Sequence, residues 1–293
     1  TGWLPQYDLE KAIPEIIEFE KQRLGFEEPK VIGNILVTSA SRKVPMIRAV
    51  KCAAVKLSPS IKVFAGDMDP DALTRSVADG FFQMPRTLDQ NLHEIINWCK
   101  ENCVRFVIPS RDGELQFWAR NRDLLNKNGI MVMISKPDSV TRSLDKLEFY
   151  QYCNKNGIPV IPTYLHANDV SSDKLVVKER WGAGSQTIAI GFSKVDATAH
   201  GDKLEAPIYQ PMLSGDEITV DAYVDANGAV HGVIMRKRDK IVNGEAQVTT
   251  TIIDSEMENT FIQIIRKLDL YGHILLQAFI EEQKYIRLIE CNC

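Results

Sequence analysis

Several features that would assign this chain to a familiar class are missing from its sequence. Its six cysteines show no CxxC or Cys/His spacing, so a structural zinc site is not indicated. Its five histidines form no obvious pairing, which leaves no Ser/His/Asp or Cys/His constellation for covalent catalysis. No apolar run approaches the length of a membrane span, and the acidic start is unlike a signal peptide. We therefore expect reduced cysteines, no membrane contact and a cytoplasmic location.

An excess of charge of one sign is also missing. The 35 Lys and Arg residues are interspersed with 39 Asp and Glu residues, so no basic stripe indicates a nucleic-acid partner. At 293 residues, with 44% hydrophobic residues, the chain is long enough for about two or three hydrophobic cores. These observations favour a globular protein with several domains that acts on small molecules.

Residues 1–30 look unlike the rest of the chain. Asp8 precedes an amphipathic pattern that includes Ile13, Ile16 and Phe19, which predicts a capped helix and an N-terminal extension. The segment GWLPQYDLEKAIPEIIEFEK resembles the closing segment of extended short-chain dehydrogenase/reductase epimerases that act on nucleotide sugars. A plain N-terminal helix is the alternative that the same pattern allows.

Residues 31–140 alternate β-rich runs with helical stretches. The runs VIGNILVTSA, IKVFAGD, VRFVIPS and GIMVMIS are candidate strands, separated by helical stretches such as VPMIRAVKCAAVKL and LHEIINWCKEN. This rhythm predicts an α/β domain with a parallel, Rossmann-like sheet, whose ligands bind at the carboxyl ends of the strands. There is no GxGxxG, so dinucleotide binding is unsupported. The substrate candidates at these ends are Arg42, Asp112 and Glu114.

Two lysines and a glycine-rich turn follow in residues 141–213. Lys146 lies in the first turn of a predicted helix, where a cation is unfavourable unless an anion such as phosphate binds there; a solvated surface lysine is the alternative. Lys178 ends a β-run, and the turn after it carries Gly182, Gly184 and Ser185. Backbone amides in such a loop can cover phosphates, although a plain hairpin turn has the same pattern. No GKS or GKT follows, so the loop is not a P-loop.

A short connector and a set of charged strands come next. The connector, residues 210–213, offers backbone amides and apolar side chains that could clamp a flat ring such as adenine. Arginine pairs that face a cleft bind phosphate or carboxylate, whereas on an exposed sheet they are ordinary solubilising charges. The candidate residues of this segment are Gln210, Met212, Leu213, Glu217, Arg236 and Arg238.

The last two apolar runs, HILLQAFIEE and KYIRLIECN, predict a β-hairpin. Period-two alternation puts Glu290 and Asn292 on one face. If the loop spans residues 281–284, Gln277 lies opposite Leu288 and joins that face. Three side-chain oxygens would then converge on one or two Mg²⁺ or Mn²⁺ ions, which prefer such ligands. The alternative is an amphipathic hairpin with a solvated polar face.

These features follow one another in an order that resembles the ATP-grasp superfamily, in particular the branch of carbamoyl-phosphate synthase large-chain domains and related carboxylate-amine ligases. The resemblance covers residues 31–293. It rests on DK at 145–146, VVKxRxGxGS at 176–185, GxExTVD at 215–221 and QxF…ExN at 277–292. The combination is far more specific than any one of these motifs.

The resemblance implies an ATP-grasp fold with two lobes, at residues 141–213 and 214–293, which make the C-terminal half of the chain α+β. A substrate domain at 31–140 precedes them and should select the carboxylate substrate. The same resemblance implies that ATP lies between the lobes and that an acyl phosphate of a carboxylate is attacked by an amine, so the substrates are small molecules such as an amino acid or an amino sugar. A homodimer is a possible assembly. The resemblance also implies roles for the candidate residues. Lys146 and Lys178 would contact the phosphates of ATP, Gln210 and Met212 the adenine, and Glu217 the ribose. Gln277, Glu290 and Asn292 would bind magnesium, and Lys178, Arg236 and Arg238 would stabilise the transferring phosphoryl group.

Two departures from the family pattern bear on function. The pattern continues E-x-N-x-R, but the sequence stops at Cys293, and the helix usually found between the glycine turn and the connector looks shortened. We expect a fragment of a longer protein. Two alternatives to a free-standing ligase stay open. The chain could be an ATP-binding module or pseudoenzyme, or it could be the ligase part of a fused nucleotide-sugar-modifying protein.

Overall fold

The structure is a computed structural model that describes residues 33–182, 187–242, 245–282 and 285–293, without the side chains of Val242 and Glu245. The predicted N-terminal extension, residues 1–30, lies outside the described residues. So do Gly184 and Ser185 of the glycine-rich turn.

The first part of the chain forms the predicted parallel sheet. Its strands are β1 (Asn34–Val37), β2 (Val63–Asp67), β3 (Gly80–Gln83), β4 (Val104–Ile108) and β5 (Met131–Val132), in the order β3-β2-β1-β4-β5. The predicted strand runs each contain one of these strands, whereas the short β3 was not predicted. The helices here are α1 (Val44–Leu57), α2 (Leu92–Glu101), α3 (Asp112–Arg120) and α4 (Arg122–Lys127). They cover both faces of the sheet, which explains why its strands are apolar runs without alternation.

The strand order reverses between β1 and β4, which are parallel neighbours. In open α/β sheets the connections on the two sides of such a point diverge and leave a crevice at the carboxyl ends of the strands. The loop after β1 carries two residues with positive φ, Ser39 at 47° and Ser41 at 27°. Such a backbone is strained for residues other than glycine, and here the Asp67 carboxylate accepts a hydrogen bond from the Ser41 amide at 2.8 Å.

The remainder of the chain forms two antiparallel sheets. The small sheet has the order β7-β6-β8, with β6 at Leu175–Glu179, β7 at Ala189–Phe192 and β8 at Pro207–Pro211. The large sheet has the order β11-β10-β9-β12-β13. Its strands are β9 (Asp216–Val224), β10 (Val230–Val242), β11 (Glu245–Ile252), β12 (Gly272–Ile280) and β13 (Ile286–Asn292).

Four helices accompany these sheets: α5 (Pro137–Leu144), α6 (Lys146–Lys155), α7 (Lys194–Gly201) and α8 (Ser255–Lys267). The eight-residue α7 lies where the sequence predicts a shortened helix. Phe149 of α6 and Phe261 of α8 pack with Ile218, Val220 and Leu276 of the large sheet in one core. This packing occupies the even-numbered face of β9 and β12, so the odd-numbered face is left for the small sheet and the space between.

The parallel-sheet part and the large sheet meet along a polar seam. Ser135 Oγ donates to the Tyr271 carbonyl at 3.1 Å and accepts from the Tyr271 amide at 2.9 Å. Ser139 Oγ donates to the Asp269 carbonyl at 2.9 Å, and the Lys136 ammonium lies 3.1 Å from the Asp269 carboxylate. These bonds tie the segment before β12 to the start of α5.

None of the helices in the described residues has the length and apolarity needed to cross a bilayer. All six cysteines are free thiols, and burial raises the pKa of Cys99 and Cys153 to about 12. Those two thiols are therefore neutral parts of the core.

Candidate nucleotide-binding site

A cavity of about 670 Å³ lies between the small and the large antiparallel sheets. Its lining combines an apolar region with a cluster of charged and amide side chains. The polar and charged lining residues are Lys146, Lys178, Glu179, Thr187, Gln210, Glu217, Arg238, Gln277 and Glu290. All of the predicted cofactor-binding residues that the structure describes thus line one cleft.

Apolar side chains from both sheets face each other across this cavity. Val176 and Ile188 come from the small-sheet side, and Phe279 and Ile289 come from the large sheet. A slot with apolar walls suits a flat heteroaromatic ring. We did not predict these residues from the sequence; the only signal is that Phe279 shares the period-two face of Gln277.

The connector after β8 offers fewer free amides than the sequence suggests. Pro211 has no N–H, and the Met212 amide donates to the Lys174 carbonyl at 2.9 Å. Among the described residues, the Leu213 amide has no such partner. Leu213 is therefore better placed than Met212 to bind an adenine edge through its backbone, while the Met212 side chain lines the cavity. The buried Gln210 side chain donates to Thr163 Oγ1 at 2.8 Å. This hydrogen bond fixes the start of the connector to the segment that contains Thr163.

Lys178 extends from the end of β6 into the cleft. Burial lowers the pKa of Lys178 to about 8; nearby Lys146 acts in the same direction, while Glu290 and Glu217 oppose the shift. Among the described residues the Lys178 ammonium forms no hydrogen bond or ion pair. A partly desolvated cation of this kind is stabilised by a bound anion.

Lys146 is the first residue of α6 and reaches the same cleft. Its ammonium donates to the Gly182 carbonyl at 2.9 Å, and Gly182 has a φ of 109° that favours glycine. Asp145 caps the helix by accepting from the Leu147 and Glu148 amides. Burial lowers the pKa of Lys146, an effect opposed chiefly by Glu290.

A salt bridge joins the start of α6 to the end of β6. The Asp145 carboxylate binds the Arg180 guanidinium at 2.6 Å, a charge-assisted contact that is nearly buried on the Asp145 side. Because Lys146 adjoins Asp145 and Lys178 lies two residues before Arg180, this bridge sets the two cleft lysines relative to each other.

The two predicted catalytic arginines have different surroundings. Arg238 lines the cavity and lies 2.6 Å from a Glu217 carboxylate oxygen. One oxygen of Glu217, the residue predicted to contact the ribose, therefore already has a partner. Arg236 is held by Asp221, with Nε at 2.7 Å, and does not line the cavity. Its backbone is in register with Thr219, which places it beside the cleft on the same sheet.

The predicted register of the last hairpin is wrong by two residues at Gln277. Ile280 pairs with Ile286 rather than with Tyr285, which is a shift of one residue at the loop, and a bulge adds the second. Ala278 pairs with Leu288, but Gln277 pairs with Glu290, so Ile289 is an additional residue in β13. Strict alternation from the loop would turn Glu290 into the core, whereas the bulge turns both Ile289 and Glu290 toward the cavity. Asn292 pairs with Leu275, two residues further along, and does not line the cavity.

The donor set at this bulge suits a hard cation. Gln277 and Glu290 lie directly opposite on neighbouring strands, about 5 Å apart at the backbone, and both line the cleft. One carboxylate and one amide oxygen leave most coordination positions to phosphate oxygens and water, as Mg²⁺ prefers. Gln277 and Glu290, with Asn292 beside them, are therefore the residues that would hold the ion. In the described part of the chain, no three His, Cys, Asp or Glu side chains form a separate metal cluster.

The three predicted substrate residues have different environments in the structure. Glu114 is fully buried and accepts hydrogen bonds from Thr38 Oγ1, the Ser110 amide and Trp118 Nε1 at 2.9–3.0 Å. Its carboxylate is occupied in tying β1, β4 and α3 together, so the substrate-contact prediction for Glu114 is replaced by a structural role. Arg42 is exposed. Asp112 is half-buried at the carboxyl end of β4, and burial raises its pKa against the effect of two nearby lysines.

Family comparisons agree with this geometry. The ATP-grasp domain profile matches residues 143–293, just over half of the chain. The chain belongs to the ATP-grasp family. A second profile, the PylC-like N-terminal domain, matches residues 35–133. Comparison with curated proteins found no match.

Solved ATP-grasp structures share the fold at low sequence identity. Rhizobium etli pyruvate carboxylase T882A with acetyl coenzyme A is similar with a TM-score of 0.67 and 20% identity, over 89% of this chain and 26% of that chain. The biotin carboxylase domain dimer of Hydrogenobacter thermophilus 2-oxoglutarate carboxylase, in complex with MgADP, ADP and bicarbonate, has a TM-score of 0.66 and 15% identity over 89% and 63%. L-amino acid ligase from Bacillus licheniformis has a TM-score of 0.65 and 15% identity, over 89% of this chain and 66% of that chain. The chain spans less than two thirds of each of these relatives.

Proposed function

We propose that this protein is an ATP-dependent ligase that joins a carboxylate to an amine through an acyl phosphate, with Mg²⁺ or Mn²⁺. The observation that carries the proposal is the single cleft in which apolar walls, Lys146, Lys178 and the Gln277/Glu290 pair meet. Membership of the ATP-grasp family supports the same class of reaction. The fold of the amino acid ligase relative supports a small-molecule substrate.

The chemistry requires charge stabilisation and exclusion of water. A carboxylate is a poor electrophile, and bound MgATP supplies the phosphoryl group that activates it. Lys146, Lys178 and Arg238 line the cleft, and in the proposed reaction their charges stabilise the negative charge that develops on the phosphoryl oxygens. Hydrolysis of the acyl phosphate would compete with attack by the amine, so the reaction requires a site that keeps water from the acyl group. No nucleophilic side chain of the protein is needed.

The primary test is release of ADP from MgATP when the chain is incubated with panels of carboxylates and amines. We expect ADP release that depends on both partners. Nucleotide binding without ADP release for any pair would favour the alternative of an ATP-binding module. ADP release that requires a nucleotide-sugar carboxylate or an amino sugar would favour the alternative that the chain is the ligase part of a fused nucleotide-sugar-modifying protein.

Glu290→Gln tests the metal assignment. The substitution keeps shape but removes the one carboxylate of the proposed metal site, so we expect ATP turnover to fall by about 100-fold or more while the circular dichroism spectrum is unchanged. Glu101→Gln is the matched control, because Glu101 is exposed at the end of α2. Equal Mg²⁺-dependent turnover in the two variants would contradict the role of Glu290.

A further inference from the structure

Asp112 is a half-buried carboxylate at the edge of the parallel sheet, within range of the charge of Lys146, which lines the nucleotide cleft. It is the first residue of α3, and the short segment 109–111 connects it to the carboxyl end of β4. Among the described residues, no hydrogen-bond donor or salt-bridging cation contacts it. This contrasts with Glu114, two residues further on, whose carboxylate accepts three hydrogen bonds.

The cations nearest to Asp112 bind other groups. The Lys43 ammonium donates to the Ser110 carbonyl and lies 3.0 Å from Ser110 Oγ. The Lys146 ammonium donates to the Gly182 carbonyl at 2.9 Å. Both lysines still act on Asp112 through space, so the carboxylate lies within electrostatic range of the cleft. A half-buried carboxylate in this setting gains from a cation that arrives with a ligand.

The position of Asp112 agrees with a substrate site. The carboxyl ends of β1 and β4 flank the point at which the strand order reverses, where open α/β sheets bind their ligands. Lys146 lines the nucleotide cavity and interacts with both Asp112 and Glu290. A ligand at Asp112 would therefore lie next to the region in which the activated carboxylate forms.

We propose that the Asp112 carboxylate binds the ammonium group of the amine substrate and accepts one of its protons, which rests on the proposed ligase function. The amine must lose this proton before its lone pair can attack. The neutral amine then forms the C–N bond, the bond between the acyl carbon and the phosphate oxygen breaks, and the departing phosphate takes the second N–H proton. A carboxylate partly withdrawn from water suits the first transfer. The parallel-sheet domain thus contributes to the choice of the amine as well as the acid.

The test compares a neutral with a cationic nucleophile in Asp112→Asn. The full chain is incubated with MgATP and a panel of carboxylates, including amino acids, and ADP release is measured with either hydroxylamine or cationic amines such as lysine, ornithine and glucosamine. Hydroxylamine is mostly uncharged at neutral pH and needs no ammonium site. We expect Asp112→Asn to lose at least tenfold in turnover with the cationic amine and to keep the hydroxylamine-dependent rate and the affinity for MgADP.

Asp123→Asn is the matched control, because Asp123 is an exposed acid in the first turn of α4 and its loss changes a helix terminus without touching the cleft. An equal loss with both nucleophiles, or weaker MgADP binding, would overturn the inference and make Asp112 a counter-charge for Lys146. Unchanged turnover with the cationic amine would also overturn it. If the wild-type chain releases no ADP even with hydroxylamine, the ligase function itself fails, and the inference fails with it.

Discussion

Lys178 carries a charge that depends on the cleft around it. Its desolvation lowers its pKa to about 8, so near neutral pH the ammonium is charged but holds its proton less firmly than an exposed lysine. Phosphate oxygens attract the charged form. Binding of a nucleotide should therefore raise the pKa of Lys178 and couple nucleotide affinity to pH.

The pH dependence of MgADP affinity tests this coupling. Below pH about 8 Lys178 is already protonated, and above it a proton must be taken up on binding, so we expect affinity to fall as pH rises toward about 10. Lys178→Arg should flatten this decline because guanidinium stays charged. Lys146, whose pKa is also lowered by burial, should leave a residual slope. Calorimetric titrations across the pH range measure both curves, and an identical slope in the variant would contradict the assignment.

At the scale of elements, the start of α6 joins stability to function. Asp145 caps this helix and binds Arg180 at the end of β6. The same contact holds the backbone from which Lys146 projects. Loss of the cap should therefore affect both the free energy of unfolding and the cleft.

Asp145→Ala should lower the free energy of unfolding by about 3 kcal/mol, since it removes a cap and leaves Arg180 without its main partner. It should also weaken MgADP binding. Ser193→Ala is a matched control, because Ser193 caps α7 by accepting from the Asp196 amide. We expect that control to cost about 1 kcal/mol and to leave nucleotide affinity unchanged. Urea unfolding and calorimetry measure the two effects, and equal MgADP affinity in both variants would contradict the link.

At the scale of the whole molecule, the seam between the parallel sheet and the large sheet is separate from the cleft. It is formed by residues 135–142 and 268–272, whereas the cleft residues of β12 begin at Gln277. Gly272 has a φ of 91°, and a Cβ there would come within 2.9 Å of Met133 Cγ. The close approach of these two segments requires glycine.

Gly272→Ala should lower the free energy of unfolding by about 1–3 kcal/mol, but MgADP at about 100 times its Kd should still add about 2.7 kcal/mol. Gly228→Ala separates the two causes, because Gly228 has a φ of 79° but no atom within 4 Å of a Cβ. Gly228→Ala should therefore lower the free energy of unfolding by less than Gly272→Ala does. Thermal unfolding with and without MgADP measures these quantities. Loss of the MgADP increment in Gly272→Ala would show that seam and cleft are not independent.

Local patterns in the sequence determined much of this protein. The apolar runs with intervening helices predicted the parallel sheet, and the motifs DK, VVKxRxGxGS, GxExTVD and QxF…ExN together carried the resemblance that implied the ATP-grasp fold. Glu217 and Arg238, both candidates from the sequence, lie 2.6 Å apart on neighbouring strands of one sheet. Such predictions succeed because backbone periodicity and turn chemistry act over a few residues.

Only the tertiary structure decided which side chains are free to act. The bulge at Ile289 turns Glu290 toward the cleft, and the Lys174 carbonyl takes the Met212 amide, leaving that of Leu213. Glu114 and Asp112 looked alike as acids after a strand, yet three donors hydrogen-bond to the Glu114 carboxylate, whereas none of the described residues donates a hydrogen bond to the Asp112 carboxylate. These outcomes depend on partners distant in sequence, because burial and hydrogen bonding are properties of the packed chain rather than of a local pattern.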